Sequence, residues 1–439
     1  MSSYIQSIDA WLSSNPEWLG IVLFAGAFFE CLAIAGLLIP GTVLLFALGV
    51  LAGNGVLSLS ETLILAFAGG LLGDIVSYGL GRRFHGSIRQ FSLLRRHPQW
   101  LDHAERHIER YGIISLLIGR FIGPLRPMLP LLAGMLSMPF IRFVLVSIVA
   151  SAGWSIAYML PGWSAGAAMR LPLPPGFWTE AAIVVGTLGI ALAVCIQQTM
   201  TGKHYATILT CGVCGVLFIA LMLGLQHFKS LDQGIISVVQ EAREPKWDNV
   251  IAFITGLGDF KAQLLAGIVA CLVLLLAKDW RAFGFAVFTG LGTAVTNGLI
   301  KHTLERTRPE VLVDPLHTFS FPSGHSSASF AFCLTLGVIA GRGQAARLRL
   351  TWLLVACLPA ILIAASRIYL GVHWPTDIIA GALLAGFFCS LSLFLTERVA
   401  PMQALPARHW AILLPVSLAA LVAFALWVFP HNLELYRYQ

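Results

Sequence analysis

Residues 361–380 read ILIAASRIYLGVHWPTDIIA, in which a short polar segment separates two strongly apolar runs. Arg367, His373 and Asp377 stand in or beside that polar segment. The apolar runs extend in both directions for about 20 residues each, the length of one membrane-spanning helix. Ionisable side chains are costly at membrane depth and are by default functional there. The stretch therefore predicts a helical membrane protein whose chemistry is concentrated at helix ends.

The composition of the whole chain indicates an all-α, polytopic membrane protein. Of its 439 residues, 57% are hydrophobic and only 11% are charged, whereas ordinary domains carry about 25% charged residues. Apolar runs recur often enough for roughly ten membrane-inserted helices, and this length favours two helical bundles over one. The net charge of +7 resides in short loops, which favours membrane topology and anionic lipid contact over nucleic-acid binding.

A polar break at residues 197–204 is the predicted boundary between the two bundles. We expect one domain over residues 1–200, a second over 205–396, and an additional transmembrane helix with a tail over 397–439. The Cys211-x-x-Cys214 pair lies inside an apolar run, so we interpret both cysteines as packing residues rather than a redox motif.

Three polar segments interrupt the apolar runs of the second bundle. They are Lys301-x6-Arg308-Pro309, Pro322-Ser323-Gly324-His325 and Ser366-Arg367-x5-His373-x3-Asp377. Basic loops alternate with these segments along the chain, and basic loops tend to remain in the cytoplasm. All three segments are therefore predicted at the outer face of the membrane.

The first two segments have the residue types of an anion site. Lys301 and Arg308 are seven residues apart, so a continuing helix would present both on one face. Lysine supplies a point charge and arginine a bidentate fork for a phosphoryl group, although either alone could be a snorkelling residue at a span end. Ser323 and Gly324 open an apolar helix whose N-terminal amides can bind an anion. The alternative is an N-cap serine beside an incidental histidine.

The third segment pairs a histidine with a carboxylate. His373 and Asp377 are four residues apart around Pro375. On the first turn of a helix, the carboxylate can hold one imidazole nitrogen and raise the basicity of the other. A purely structural pair and a metal site are the alternatives, but no further carboxylate or cysteine ligand accompanies the pair.

Together, the three segments resemble the motifs of the type 2 phosphatidic acid phosphatase family, membrane lipid phosphatases that share a helical fold with vanadium haloperoxidases. The resemblance covers residues 205–396 and implies a six-helix bundle with no metal and no cofactor. It implies that His373 is the nucleophile that forms a phosphohistidine, that Asp377 orients it, and that His325 is the general acid. The phosphate-binding residues that it implies are Lys301, Arg308, Ser323, Gly324 and Arg367.

The first bundle contains four ionisable residues within apolar or hairpin segments, namely Glu30, Asp74, Arg120 and Arg126. Structural pairing inside the bundle is one interpretation. Their sequence context resembles the DedA family of bacterial membrane proteins over residues 15–170. The residues that carry this resemblance are Phe29-Glu30, Pro40-Gly41, Gly73-Asp74-x3-Tyr78-x2-Gly81-Arg82 and Gly119-Arg120-Phe121 leading to Arg126.

The DedA resemblance implies two re-entrant hairpins and a role in lipid transport, including the return of undecaprenyl phosphate across the membrane. This sequence departs from the family at Thr42, where an acidic residue is usual, and at Gly123-Pro124, where the order Pro-Gly is common. The absence of a titratable group at Thr42 argues against a proton relay there, while Arg120 and Arg126 retain the charge to bind a lipid phosphate.

We therefore expect a bacterial inner-membrane protein whose second half hydrolyses a lipid phosphate or pyrophosphate at the outer face. Undecaprenyl diphosphate is the preferred substrate, and the first half is expected to bind or move a related lipid. The expected partners are the lipid substrate and the bilayer, with no nucleic acid. The alternatives are a phosphatidic acid or phosphatidylglycerophosphate phosphatase, a lipid A phosphotransferase, a transporter with a degenerate enzyme domain, and a haloperoxidase. The intact motifs oppose the transporter, and the many spans oppose the haloperoxidase.

Overall fold

The computed structural model describes residues 18–33, 35–38, 41–88, 116–117, 119–120, 126–201, 205–314, 316 and 318–438. Within these ranges, the regular structure is helical apart from one isolated β-bridge. Eight described helices are long and apolar enough to cross a membrane, and a bent pair would make nine. The predicted all-α membrane class is therefore confirmed. The chain divides into two compact units, Met1–Pro172 and Leu173–Gln439.

The described helices of the first unit are α1 Leu19–Cys31, α2 Ala35–Leu38, α3 Gly41–Leu51, α4 Leu59–Ile88, α5 Met128–Met135 and α6 Phe140–Arg170. Helix α4 contacts α1, α5 and α6, and α6 also contacts α3. Small residues allow membrane helices to approach closely: a Cβ atom on Gly166 of α6 would lie 2.0 Å from the Val50 carbonyl oxygen of α3. Pro40 and residues 89–115 and 121–125 lie outside the described residues, so the two re-entrant hairpins remain predictions.

The helices of the second unit are α7 Phe177–Met200, α8 Ala206–Leu223, α9 Lys229–Glu241, α10 Asp248–Leu257, α11 Phe260–Leu276, α12 Trp280–Leu304, α13 Gly324–Ala340, α14 Ala346–Tyr369, α15 Pro375–Val399 and α16 Ala407–Leu435. Helix α7 belongs to this unit, whereas the predicted boundary follows it. The reason is its contact with α9: the Leu231 amide donates to Glu180 Oε2 at 2.7 Å, and the Phe177 ring packs over Gly234.

Helices α12, α13 and α15 contact one another in the centre of the second unit, and α14 packs against α13. Helices α10 and α11 form a pair bent by 46°, along which α16 packs. At one end of the bundle, Arg342 pairs with Glu397 and Arg281 Nη1 donates to the Pro401 carbonyl at 3.3 Å. These basic connections alternate along the chain with the three motif segments, which meet at the opposite end.

Candidate active site

Lys301 and Arg308 lie close together, although only Lys301 is part of a helix. Helix α12 ends at Leu304 because Glu305 adopts a left-handed conformation with φ of 45°, which an L-residue seldom continues into a helix. The expectation that both cations share one helical face is therefore wrong. Lys301 lies on the last turn of α12 and Arg308 on the chain beyond it. They still meet, since Lys301 Nζ and Arg308 Nη2 donate to the same Phe319 carbonyl at 2.9 and 3.3 Å.

Ser323 begins α13, as predicted, and links the second motif segment to the third. Its side chain is fully buried, and its Oγ accepts a hydrogen bond from the Ser326 amide at 3.4 Å. The Ser323 amide donates to the Asp377 carbonyl at 3.0 Å. Gly324 and His325 therefore form the first turn of α13 directly beside the first turn of α15.

His373 lies on a tight turn between α14 and α15. Gly371 has a φ of +64°, and a Cβ atom there would lie 2.0 Å from Val311 Cγ2, so the turn requires glycine. The His373 side chain is 1% exposed. Its Nδ1 lies 3.3 Å from Asp377 Oδ2, an atom that also accepts from the Trp374 amide at 2.9 Å. The predicted histidine–carboxylate pair is thus formed at the start of α15.

The surroundings of His373 determine its tautomer and its charge. Arg308 Nη1 lies 3.0 Å from His373 Nε2. Because a guanidinium can only donate, Nε2 is the acceptor and Nδ1 carries the proton that faces Asp377. Burial, followed by the charges of Arg308, Arg367 and Lys301, lowers the pKa of His373 well below its ordinary value of 6.5. Burial also lowers the pKa of Arg308, to about 10, and leaves it protonated at neutral pH. The imidazole is therefore neutral beside a cation.

A second carboxylate and a further arginine hold Asp377 from behind. Asp377 Oδ1 accepts from Arg306 Nη1 at 2.6 Å, and Arg306 Nη2 pairs with Asp232 Oδ2 at 2.6 Å. Asp232, on α9, also accepts from the amide and hydroxyl of Thr376 at 3.0 and 2.7 Å. The chain Asp232–Arg306–Asp377–His373 fixes the orientation of the imidazole. No group of three or more His, Cys, Asp or Glu in the described residues is arranged to hold a metal ion.

Arg367, at the end of α14, is the most deeply buried cation of the site, with 2% of its surface exposed. Its Nη1 donates to Thr255 Oγ1 at 2.8 Å and to the Tyr436 hydroxyl at 2.9 Å. Among the described residues, its Nε has no hydrogen-bond partner. Arg367, Lys301 and His325 all lie close enough to His373 to act on it electrostatically. The structure thus gathers both histidines and three cations at one end of the helical bundle.

An apolar cavity of about 660 Å³ opens beside these residues, between α11, α12 and α13. It begins at Gly324, Asn297 and Ser327, next to His325, and reaches Leu413 of α16. Most of its other lining side chains are aliphatic. Neither histidine and none of the three cations is among its lining residues, but Gly324 is the residue before His325. A cavity of this kind suits an apolar chain.

The four ionisable residues predicted in the first unit also come together. The buried pairs are Asp74 with Arg120 and Glu30 with Arg126. The guanidinium groups of Arg120 and Arg126 lie 5.0 and 5.6 Å from the centre of the Trp154 ring. Arg126 Nη2 also donates to the Tyr158 hydroxyl at 2.7 Å. Within the described residues, Glu30 Oε2, Asp74 Oδ1 and Arg120 Nε have no partner, so the cluster retains polar groups that a ligand could use.

Two family models match this chain. The VTT domain model matches residues 39–164, and the PAP2 superfamily model matches residues 280–398. The chain is a VTT (DedA)–PAP2 fusion. Both predicted resemblances are thereby confirmed: the second unit contains a PAP2 domain of the lipid phosphatase type, and the chain is a multi-pass membrane protein.

Relatives of the fusion resemble only part of it. Inner membrane protein YabI of Escherichia coli K12 is 40% identical over 165 residues, which are 38% of this chain and 65% of YabI. Undecaprenyl phosphate transporter A of Bacillus subtilis 168 is 26% identical over 203 residues, which are 45% of this chain and 96% of the transporter. A crystal structure of a PAP2-type phosphatidylglycerolphosphate phosphatase from Bacillus subtilis has 24% identity and a TM-score of 0.39, and covers 43% of this chain and 97% of that one.

Three residues at the PAP2 site could not be identified from sequence motifs. Arg306 is one of the six residues between Lys301 and Arg308 that the motif leaves unspecified, although the sequence shows that it is a further cation in this segment. Asp232 lies in the polar stretch 228–260, and carboxylates in such a stretch usually face solvent. Tyr436 follows the PAP2 match by 38 residues. Only the folded chain brings these residues to the motifs.

In the VTT unit, we expect Asp74→Asn to destabilise the protein strongly. The substitution leaves the buried Arg120 without its counter-charge, which typically costs about 3–5 kcal/mol. Thermal unfolding of the purified full chain, followed by tryptophan fluorescence, measures the loss. Asp314→Asn, at an exposed carboxylate, is the matched control and should leave the midpoint unchanged. The double variant Asp74→Asn/Arg120→Gln should recover much of the loss. Equal midpoints for Asp74→Asn and Asp314→Asn would contradict the pairing.

Proposed function

We propose that this fusion protein hydrolyses a lipid phosphate or pyrophosphate through a phosphohistidine formed at His373. The observation that carries the proposal is the state of that imidazole. It is buried and neutral, its Nδ1 faces Asp377, and its Nε2 faces Arg308 at 3.0 Å. A nucleophile whose lone pair already points at a phosphate-binding cation needs little rearrangement to attack phosphorus.

In the first step, His373 Nε2 attacks the phosphorus atom of the lipid. The N–P bond forms while the bond between phosphorus and the leaving oxygen breaks. Burial and the charges of Arg367, Arg308 and Lys301 lower the pKa of His325, so it takes up its proton when the negative charge of the bound phosphate offsets those cations, and it then gives that proton to the leaving oxygen. Arg308 transfers its Nη1 hydrogen bond from His373 Nε2 to a phosphate oxygen. Arg308, Lys301 and Arg367 stabilise the charge on the equatorial oxygens, and the α13 amides after Ser323 add to them. Asp377 stabilises the positive charge that develops on the imidazole.

In the second step, water attacks the phosphorus atom of the phosphohistidine, and His325 removes a proton from that water. The N–P bond breaks, inorganic phosphate leaves, and the electron pair returns to His373 Nε2. The same residue thus serves as acid and then as base, as microscopic reversibility requires of a two-step displacement. No metal ion takes part in either step.

Two observations favour a lipid with a long apolar chain as substrate. The cavity that begins at Gly324 is almost entirely apolar and reaches Leu413, and it lies beside the proposed acid His325. In addition, a relative of the VTT unit is named undecaprenyl phosphate transporter A. Undecaprenyl diphosphate is therefore the preferred substrate, since its hydrolysis yields the lipid phosphate in that name.

The VTT unit is proposed to bind the same class of lipid phosphate at Arg120 and Arg126. Both guanidiniums are buried, and carboxylate and guanidinium atoms of the cluster are without partners among the described residues. The basic loops of the PAP2 unit are proposed to face the cytoplasm of a bacterial inner membrane, which would direct His373 to the outer side. A product released there would need to cross the membrane to be reused.

Phosphate release from a panel of lipids by the purified full chain tests the proposed activity. The panel comprises undecaprenyl diphosphate, phosphatidic acid and phosphatidylglycerophosphate, and kcat/KM should be highest for the first. A higher kcat/KM for either glycerolipid would reassign the substrate. Phosphate transfer to lipid A in place of release would identify a phosphotransferase. Loss of activity with a metal chelator would contradict the metal-free mechanism.

Coupling of the two units is tested in the full chain reconstituted in liposomes. Transport of undecaprenyl phosphate should require Arg126 and should be stimulated by undecaprenyl diphosphate only when His373 is intact. The His373→Asn variant should still transport added undecaprenyl phosphate. Transport that is unaffected by Arg126→Gln would argue against the proposed role of the VTT unit.

A further inference from the structure

Tyr436 lies outside the PAP2 motifs but contacts Arg367, one of the proposed phosphate-binding cations. The PAP2 match ends at residue 398, whereas Tyr436 follows the last residue of α16. Its hydroxyl accepts a hydrogen bond from Arg367 Nη1 at 2.9 Å. The Arg367 guanidinium carbon also lies 5.1 Å from the centre of the Tyr436 ring. One side chain therefore contacts the cation with both its ring and its hydroxyl.

The end of the chain fixes Tyr436 at this position by several contacts. The Tyr436 amide donates to the Asn432 carbonyl at 3.0 Å, and the Val313 amide donates to the Arg437 carbonyl at 3.0 Å. Tyr438 forms an antiparallel bridge with Leu312. The last residues of the chain are thus attached to the segment that carries Arg308.

The surroundings of Tyr436 make this contact rigid and place it directly behind the site. The Tyr436 side chain is 8% exposed and shares an apolar cluster with Leu312, Leu370 and Val372. The carbonyl of Val372, the residue before His373, accepts from Arg308 Nη1 at 2.6 Å. A ring in this cluster cannot turn away without disturbing the wall behind the nucleophile.

The remaining donors of Arg367 indicate what the contact does. With Nη1 shared between Thr255 Oγ1 and the Tyr436 hydroxyl, one end of the guanidinium is held in place. Its Nε has no partner among the described residues although it is buried. A buried donor left free is costly unless a ligand completes it, and a phosphate oxygen is the ligand that suits a guanidinium.

We propose that Tyr436 is a positioning residue for the phosphatase reaction, which holds Arg367 so that its unpartnered Nε–H faces the phosphate. The inference rests on the proposed function. It makes the C-terminal helix α16, which lies beyond the PAP2 match, part of the machinery that recognises the phosphate.

The substitution Tyr436→Phe tests this role because it retains the ring and removes only the hydroxyl. We expect kcat/KM for phosphate release to fall about tenfold, the usual effect of one hydrogen bond to a charged group. The inhibition constant for orthovanadate, a probe of the phosphate site, should rise by a similar factor. Tyr438→Phe, the same change two residues further along, is the matched control and should change neither quantity by more than about twofold.

A double-mutant cycle separates positioning from general stability. In an Arg367→Lys background, Tyr436→Phe should cause little further loss, since both changes act through one cation. A variant that was merely less folded would lose kcat in proportion to the folded fraction, with the vanadate inhibition constant unchanged. Equal vanadate constants for Tyr436→Phe and Tyr438→Phe, or full additivity in the cycle, would overturn the role of Tyr436. A wild-type protein that releases no phosphate from any lipid of the panel would instead overturn the proposed function, and the role of Tyr436 with it.

Discussion

The substitution His373→Asn should lower phosphate release from the lipid substrate by at least about 10⁴-fold, the scale on which enzymes lose activity when a nucleophile or its base is removed. Asparagine is small enough for the turn after Gly371, and its amide can still face Asp377. The lone pair of its amide nitrogen is delocalised into the carbonyl group and cannot attack phosphorus. The expected loss is therefore chemical, and the thermal unfolding midpoint should change by only a few degrees.

The trapped intermediate gives the sharper measurement for His373. After a quench in alkaline detergent, the wild-type chain incubated with lipid labelled in the phosphate should carry a label that is stable in alkali and lost in acid, as a phosphoramidate is. His373→Asn should carry none, whereas His227→Asn, at an exposed histidine of the same unit, should be labelled like the wild type. Label retained in His373→Asn would move the nucleophile to another residue.

The pH profile provides an independent check on the same residue. Since the pKa of His373 lies well below 6.5, the imidazole remains neutral when the pH falls through 6.5, and kcat/KM should not fall there on its account. The same depression has a consequence for stability. The unfolded chain takes up a proton near pH 6.5 and the folded chain does not, so stability should decrease as the pH is lowered below that value.

The motif residues could be predicted from the sequence because their spacing encodes local geometry. His373 and Asp377 flank Pro375 at the start of a helix, and Ser323 precedes a long apolar run. In both cases, the side chain and the helix end that positions it are adjacent in the chain. The recurring apolar runs likewise predicted a membrane protein built from many helices. Local rules of this kind need no knowledge of the tertiary fold.

The other residues of the site depend on events that no local pattern reports. Helix α12 ends at Leu304 because Glu305 adopts a left-handed conformation, which glutamate seldom does. The prediction that Lys301 and Arg308 share one helical face was therefore wrong. Asp232 and Tyr436 reach the site only through the packing of α9 and of the chain after α16. Contacts over 69 or more residues leave no spacing to recognise. An additional C-terminal helix was predictable, but its contact with Arg367 was not.

Among residues that the motifs do not specify, Arg306→Met is expected to have the largest effect. Arg306 neutralises two buried carboxylates at once, with 2.6 Å contacts to Asp377 and to Asp232. Methionine has similar length but no charge, so the two acids would face each other across an apolar side chain. Breaking a buried ion pair from one side typically costs about 3–5 kcal/mol. Asp377 can respond by taking up a proton or by rotating, and either change removes the partner of His373 Nδ1–H. We expect kcat to fall about 100-fold, with a lower unfolding midpoint.

The milder variant Asp232→Asn separates orientation from stability. Asparagine can still accept from the Thr376 amide, so the backbone at the start of α15 is retained. Arg306 loses one of its two anions and is held by Asp377 alone, which permits the carboxylate to shift. We expect kcat to fall about tenfold with KM nearly unchanged, because Asp232 lies behind the nucleophile rather than against the phosphate.

The matched control is Asp248→Asn, which removes the 3.0 Å ion pair of Asp248 with Arg243 in the same unit and should leave kcat within about twofold. In an Asp377→Asn background, Asp232→Asn should have no further effect on kcat, since the group through which it acts is absent. Equal losses of kcat for Asp232→Asn and Asp248→Asn would show that the second carboxylate only stabilises the fold.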